Sequence, residues 1–167
     1  MLEQGTVTDG MVAASGVQRD ALWRLRHNMS EAQKIEGASI KHDISVPVSK
    51  VGEFVARASA WAASAVPGVR VIAFGHLGDG NVHFNLSQPV DADPAAFLAR
   101  WDELAAGVHQ IAVDFGGSFS AEHGIGSLKV GELERWRGGT ALELMRAIKA
   151  VLDPHDIMNP GKLLRAR

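Results

Sequence analysis

The chain has 167 residues, 46% of them hydrophobic, with a formal net charge of −2 and a pI near 6.4. That length suits one domain or one and a fraction, and it contains no cysteine, which excludes disulfides, iron–sulfur clusters and thiolate zinc sites. The charge balance gives no sign of nucleic-acid binding. No apolar run approaches ~18 residues, so no membrane span is expected. The opening MLEQGTVTDG lacks the basic and apolar regions of a signal peptide, and a cytoplasmic location is the expectation.

Residues 1–10 read as a polar arm. Over 11–36, Leu22, Leu25 and Met29 recur at helical spacing, and Gly37 can end the helix. The alternating run around 42–46 predicts a strand that Pro47 closes or keeps at an edge. A helix with an alanine-rich face is expected over 51–65, stopped by Pro67-Gly68. Strands follow over 69–76 and 82–87. Between them Asp79-Gly80 signals a two-residue type I′ turn, whose central residues both need φ > 0. Asp93-Pro94 opens a long helix over 94–115, with proline in the first helical position. Phe97, Trp101, Leu104, Val108 and Ile111 mark its buried stripe, and Gly116-Gly117 end it. Ser118 to Ala121 reads as a short strand and 140–151 as a last helix. Asp153-Pro154 and Asn159-Pro160-Gly161-Lys162 read as turns.

After the first helix the order is β-α-β-β-α-β. That is an α+β class of fold, a ferredoxin-like antiparallel sheet with helices on one face, with an N-terminal helix and a C-terminal helical segment added. The core is expected over 37–127 and the C-terminal segment over 128–167.

The segment GHLGDGNVHFN carries the strongest chemical signal. A turn centred on Asp79-Gly80 places His76 directly opposite His83, on one face, with Cβ atoms about 4.5–5.5 Å apart. Asn81, His83 and Asn85 share that face, while Val82, Phe84 and Leu86 alternate onto the other. Two imidazoles so placed can share a metal ion, or they can be two hydrogen-bonded histidines on a half-buried strand. Without thiolates, any metal uses His and carboxylate ligands, which suit zinc, iron, manganese or cobalt. Glu122, just after a short strand, can complete a His₂Glu set with the open position that a catalytic metal needs. His123 is then free to act as a base. The same pair also reads as a helix-start acid beside an exposed histidine. Gly124 and Gly126 suggest close backbone approach to a ligand or another chain. Arg26 and Lys41 suit a carboxylate, although nothing local distinguishes Arg26 from Arg24, and both read equally as solvated charges.

GHLGDGNVHFN, SAEHGIG and LDPHDIMNPGKLL, with LWRLRHNMSEA and IKHDISVPVSK, together resemble the FAD-linked oxidases of the D-lactate, glycolate and D-2-hydroxyglutarate dehydrogenase type. The D-2-hydroxyglutarate branch is the nearest, and the likeness runs from about Leu22 to Leu164. The resemblance implies that residues 11–167 are the C-terminal, substrate-binding domain, and that the FAD-binding domain lies outside this chain. It implies that His76, His83 and Glu122 hold zinc and that His123 is the base near the flavin. Arg26, Ser30, Lys41 and Asn85 are the implied substrate contacts, with Ser30 standing where relatives usually carry threonine. Asn159, in the NPGK-like ending, is the implied FAD contact. The implied partners are a small 2-hydroxy acid, the FAD-binding domain in cis or in trans, and an acceptor such as an electron-transfer flavoprotein, quinone or cytochrome. A homodimer is a further expectation, because an uncovered apolar face favours association. Without flavin the chain alone is expected to be inactive. The competing reading is a non-catalytic metal- or ligand-binding module, since fold does not imply function.

Overall fold

The structure is a computed structural model and describes residue 5 and residues 7–166. The expected helix over 11–36 is two helices, α1 (Gly16–His27) and α2 (Met29–Ile35), parted at Asn28. Ser15 caps α1 by accepting from the Gln18 amide at 3.2 Å. The polar arm over 1–10 falls partly outside the described residues.

The first strand of the expected sheet is split into β1 (Ser39–Ile40) and β2 (Asp43–Ser45). A 3₁₀ turn then leads into α3 (Val51–Ala65), whose bounds match the expected helix. The hairpin β3 (Arg70–His76) and β4 (Asn81–Ser87) follows. The long helix expected over 94–115 is broken into α4 (Pro94–Leu98) and α5 (Trp101–Asp114). Asp93 caps α4 through the amides of Ala95 and Ala96. The break turns Trp101 out of the stripe, so it is 42% exposed while Phe97, Leu104, Val108 and Ile111 are buried. A short helix that the periodicity did not announce, α6 (Val130–Arg137), precedes α7 (Thr140–Leu152).

β1 and β2 pair with β4 in one antiparallel register, Ser39 with Ser87 and Asp43 with His83. β3 pairs with the other edge of β4, Arg70 with Ser87 and His76 with Asn81. The expected strand at Ser118 is reduced to a bridge with Ser45 on the outer side of β2. The resulting order, fourth beside first beside third beside second, is that of the split βαβ arrangement. α3 and α5 cover one face, burying Ile44, Val82, Phe84 and Leu86 with Phe54, Leu104 and Val108. A smaller cluster of Phe119, Leu133, Leu142 and Leu164 holds the C-terminal segment together.

The hairpin differs from expectation in its loop. Leu77–Asp79 form a 3₁₀ turn and only Gly80 is left-handed, at φ +76. Asp79 Oδ1 accepts the Asn81 amide at 3.1 Å, and the Gly80 carbonyl accepts the Val46 amide at 3.0 Å. A type I′ turn needs two residues at positive φ, so the loop takes four residues instead of two. His76 therefore pairs with Asn81, and His83 with Phe74. The partner of His76 moves by two positions, which preserves the face. Phe74, His76, Asn81, His83 and Asn85 thus lie on the side of the sheet away from α3 and α5.

Candidate functional site

This second face of the sheet is where the polar residues gather. β4 is flanked on both edges, so Asn81 and Asn85 are buried although their side chains are polar. Asn81 donates through Nδ2 to Glu122 Oε1. Asn85 donates through Nδ2 to Gln33 Oε1 at 2.7 Å, which ties α2 to the face. Arg26 stands 5.6 Å from the centre of the Phe74 ring, a cation–π contact. Arg24 is exposed whereas Arg26 is half-buried, so the fold distinguishes two arginines that the local sequence did not.

At the middle of the face Asp43 is 2% exposed. Its Oδ2 accepts three successive amides, Ala121 at 3.0 Å, Glu122 at 2.8 Å and His123 at 2.8 Å. Burial opposes the charge, but those donors and the neighbouring His123 outweigh it and hold the carboxyl below its ordinary value. Asp43 Oδ1 is buried without a hydrogen-bond partner and lies 3.9 Å from His83 Nδ1. His123 Nδ1 is 3.8 Å from Asp43 Oδ2, and the His83 and His123 rings stack with centres 5.8 Å apart. One ligand atom from each of Asp43, His83 and His123 lies within 4.8 Å of the others. His76 Nδ1 and Glu122 Oε1 form a neighbouring pair at 3.7 Å, both side chains well exposed.

The implied zinc ligands are thus divided. His76 meets Glu122, while His83 meets Asp43 and His123, and among the described residues only the latter trio converges within 4.8 Å. Imidazole nitrogens and carboxylate oxygens are suitable donors for a divalent cation. The unpartnered Asp43 Oδ1 is a buried negative atom that such a cation, or a proton on its neighbour, would satisfy.

A cavity of about 880 Å³ opens here, lined by Lys41, Asp43, Phe74, His83, Asn85 and Glu122 among others. Lys41 is exposed at its wall. Ser30 lies in α2, but its side chain falls outside the described residues. Asn159 is not brought to this cavity; it lines a separate one of about 280 Å³ with Arg146, Lys149 and Lys162. Gly124 and Gly126 have φ of +70 and +56, and an added Cβ at either would meet nothing within 4 Å. Both positive φ values suit glycine, and both residues line the cavity.

Sequence reasoning missed Asp43 altogether. It was legible as the carboxylate directly before the β-branched Ile44, but its role depends on a loop 78 or more residues away. It also missed a buried pair at the cavity's inner end. His42 and His109 are 2% and 3% exposed, with ring centres 5.3 Å apart. His42 Nδ1 bonds the Phe84 carbonyl at 2.6 Å. Burial, with His109 beside it, lowers the His42 pKa to about 3, so the ring is neutral and donates from Nδ1.

A family described as FAD linked oxidases, C-terminal domain, matches residues 1–163. A D-2-hydroxyglutarate dehydrogenase of Xanthomonas citri pv. viticola is 43% identical over 162 residues, 97% of this chain and 34% of that protein. One from Stutzerimonas stutzeri is 39% identical over 165 residues, 99% of this chain and 35% of its own length. A mitochondrial D-2-hydroxyglutarate dehydrogenase of Danio rerio is 36% identical over 165 residues, 98% of this chain and 30% of its own. The chain spans about a third of the length of these relatives.

Proposed function

Because the chain belongs to the C-terminal domain family of the FAD linked oxidases, we propose that it is the substrate- and metal-binding part of an FAD-dependent D-2-hydroxy acid dehydrogenase. The observation that carries this is the convergence of imidazoles and carboxylates on one face of the sheet, beside the cavity and the family's EHG segment. The proposed substrate is a small 2-hydroxy acid of the D-lactate, glycolate or D-2-hydroxyglutarate class.

His83, with His76 and Glu122 from the neighbouring pair, would hold a divalent cation, for which zinc is our choice. When bound, that ion would supply Lewis acidity toward the substrate hydroxyl, and a flavin held outside this chain would supply the hydride acceptor. Arg26 and Lys41 fix the substrate carboxylate and so the face that the C2–H presents. Ser30 and Asn85 complete the polar contacts, Asn85 held in place by Gln33. His123 takes the hydroxyl proton at a ring nitrogen. Asn159 sits in the other cavity, and no step is assigned to it. The flavin-binding part, in cis or in trans, and an electron-transfer flavoprotein, quinone or cytochrome are the proposed partners, with a homodimer as a further association. No helix among the described residues is long and apolar enough to cross a membrane. The cytoplasm is our proposed compartment, although the Danio rerio relative is named as mitochondrial.

The test combines the chain with the flavin-binding part of a close relative and follows dye reduction. His123→Ala should lower turnover about 10²–10⁴-fold, the range for loss of a general base, with zinc content unchanged. Equal loss of zinc from His123→Ala and His83→Ala would assign His123 to the metal instead.

A further inference from the structure

A ligating imidazole must offer one nitrogen to the metal and keep its proton on the other. The second nitrogen is almost always given to a carboxylate, carbonyl or water that fixes the tautomer and the ring orientation. Of the histidines on this face, His83 is the less exposed and the more tightly framed. It packs tilted on Phe74 at 5.1 Å, stacks on His123, and turns Nδ1 toward Asp43 Oδ1 at 3.9 Å.

Asp43 is built differently from a metal ligand. Its Oδ2 is engaged by three amides, so the carboxylate is locked to the Ala121–His123 segment. Only Oδ1 remains, buried and unpartnered, with His83 Nδ1 3.9 Å from it. A charge-assisted N–H···O bond needs about 2.7–2.9 Å, a closure of about 1 Å. The one carboxylate therefore touches both halves of the site: it orders the loop that presents Glu122 and His123, and it faces the ring of His83.

We propose that Asp43 is a positioning residue: it accepts the Nδ1–H of His83, so that Nε2 is the nitrogen presented to the metal, and it sets that ligand in register with the Glu122–His123 loop. This rests on the metal reading above. It gives a reason for a buried carboxylate in β2 that loop anchoring alone does not, since the anchoring uses one oxygen and leaves the other unmet.

The probe is zinc alone, titrated into the 167-residue chain. In the unsubstituted chain, long-range ¹H–¹⁵N spectra of the imidazoles should show His83 bound through Nε2 with a protonated Nδ1. Asp43→Asn keeps an oxygen for the loop amides but can offer His83 an NH₂ group, which cannot accept. That variant should bind zinc about 10–100-fold more weakly, the range for loss of such a partner. The Glu122 and His123 amides should stay protected from exchange. Binding of zinc through His83 Nδ1 in the unsubstituted chain would overturn the proposal, however the variant folds. So would an unchanged affinity in Asp43→Asn. Failure of the unsubstituted chain to bind zinc at all would remove the metal reading and this proposal with it, and is distinct from the other two results.

Discussion

At the residue scale, the sharpest consequence of the fold is a histidine whose protonation is set by burial. His42 is neutral when folded because its pKa is lowered to about 3, from 6.5. The unfolded chain therefore binds the extra proton between those values, and stability falls as pH drops through that window, by up to about 1.4 kcal/mol per pH unit. Asp43 adds to this at lower pH: its folded value is depressed, so its contribution is present above the ordinary carboxylate range and is lost as pH falls through the folded value. Urea unfolding from pH 7 to pH 4 should show the slope, and His42→Gln should flatten it; an equal slope in that variant would place the proton uptake elsewhere. His76, His83, His123 and Glu122 were legible as site candidates because their chemistry is local to short motifs. Asp43, His42 and His109 were not, because their roles are defined by neighbours far along the chain. Arg26 stood out from Arg24 only once Phe74 lay beneath it.

At the element scale, α3 and the faces of the β3–β4 hairpin were readable from alternation and helical spacing. The register was not. Turn type depends on how many residues hold positive φ, and that was settled by the Asp79 side chain and by Val46 on a neighbouring segment. Helix breaks at Asn28 and at Ala99–Arg100 were equally hidden, since apolar spacing continues through both. Gly80 is the element's tightest point: it is left-handed, and an added Cβ would lie 2.0 Å from the Val46 carbonyl oxygen. Gly80→Ala combines left-handed strain of roughly 1–2 kcal/mol with a backbone clash. It should therefore cost at least about 2 kcal/mol by chemical denaturation, whereas Gly78→Ala, with open space at its Cβ, should cost less than half of that.

At the scale of the whole molecule, two apolar surfaces stay uncovered by the described residues. α1 buries no residue, with Val17, Trp23 and Leu25 exposed. α7 exposes Leu144, Ile148, Val151 and Leu152 at helical spacing, continued by Ile157 and Met158. The tail is held by Asp153 accepting from Lys149 and from the Ile157 and Met158 amides, and by Leu164 in the second cluster. Lys149, followed by those amides, holds the Asp153 pKa at about 2. Exposed apolar patches of this kind favour association. Light scattering of the chain alone should show self-association that Leu144→Glu with Ile148→Glu reduces; a monomer at high concentration, unaffected by both changes, would mean that α7 is not the sticky face.

The proposed metal on the second face of the sheet depends on His83. Zinc measured by elemental analysis after exhaustive dialysis tests it most directly. One equivalent per chain is expected, lost in His83→Ala and retained in His42→Gln, whose Nδ1 is engaged by the Phe84 carbonyl and which is not one of the converging groups. A chain that retains no zinc, or a His83→Ala variant that retains all of it, would rule out a metal held through His83.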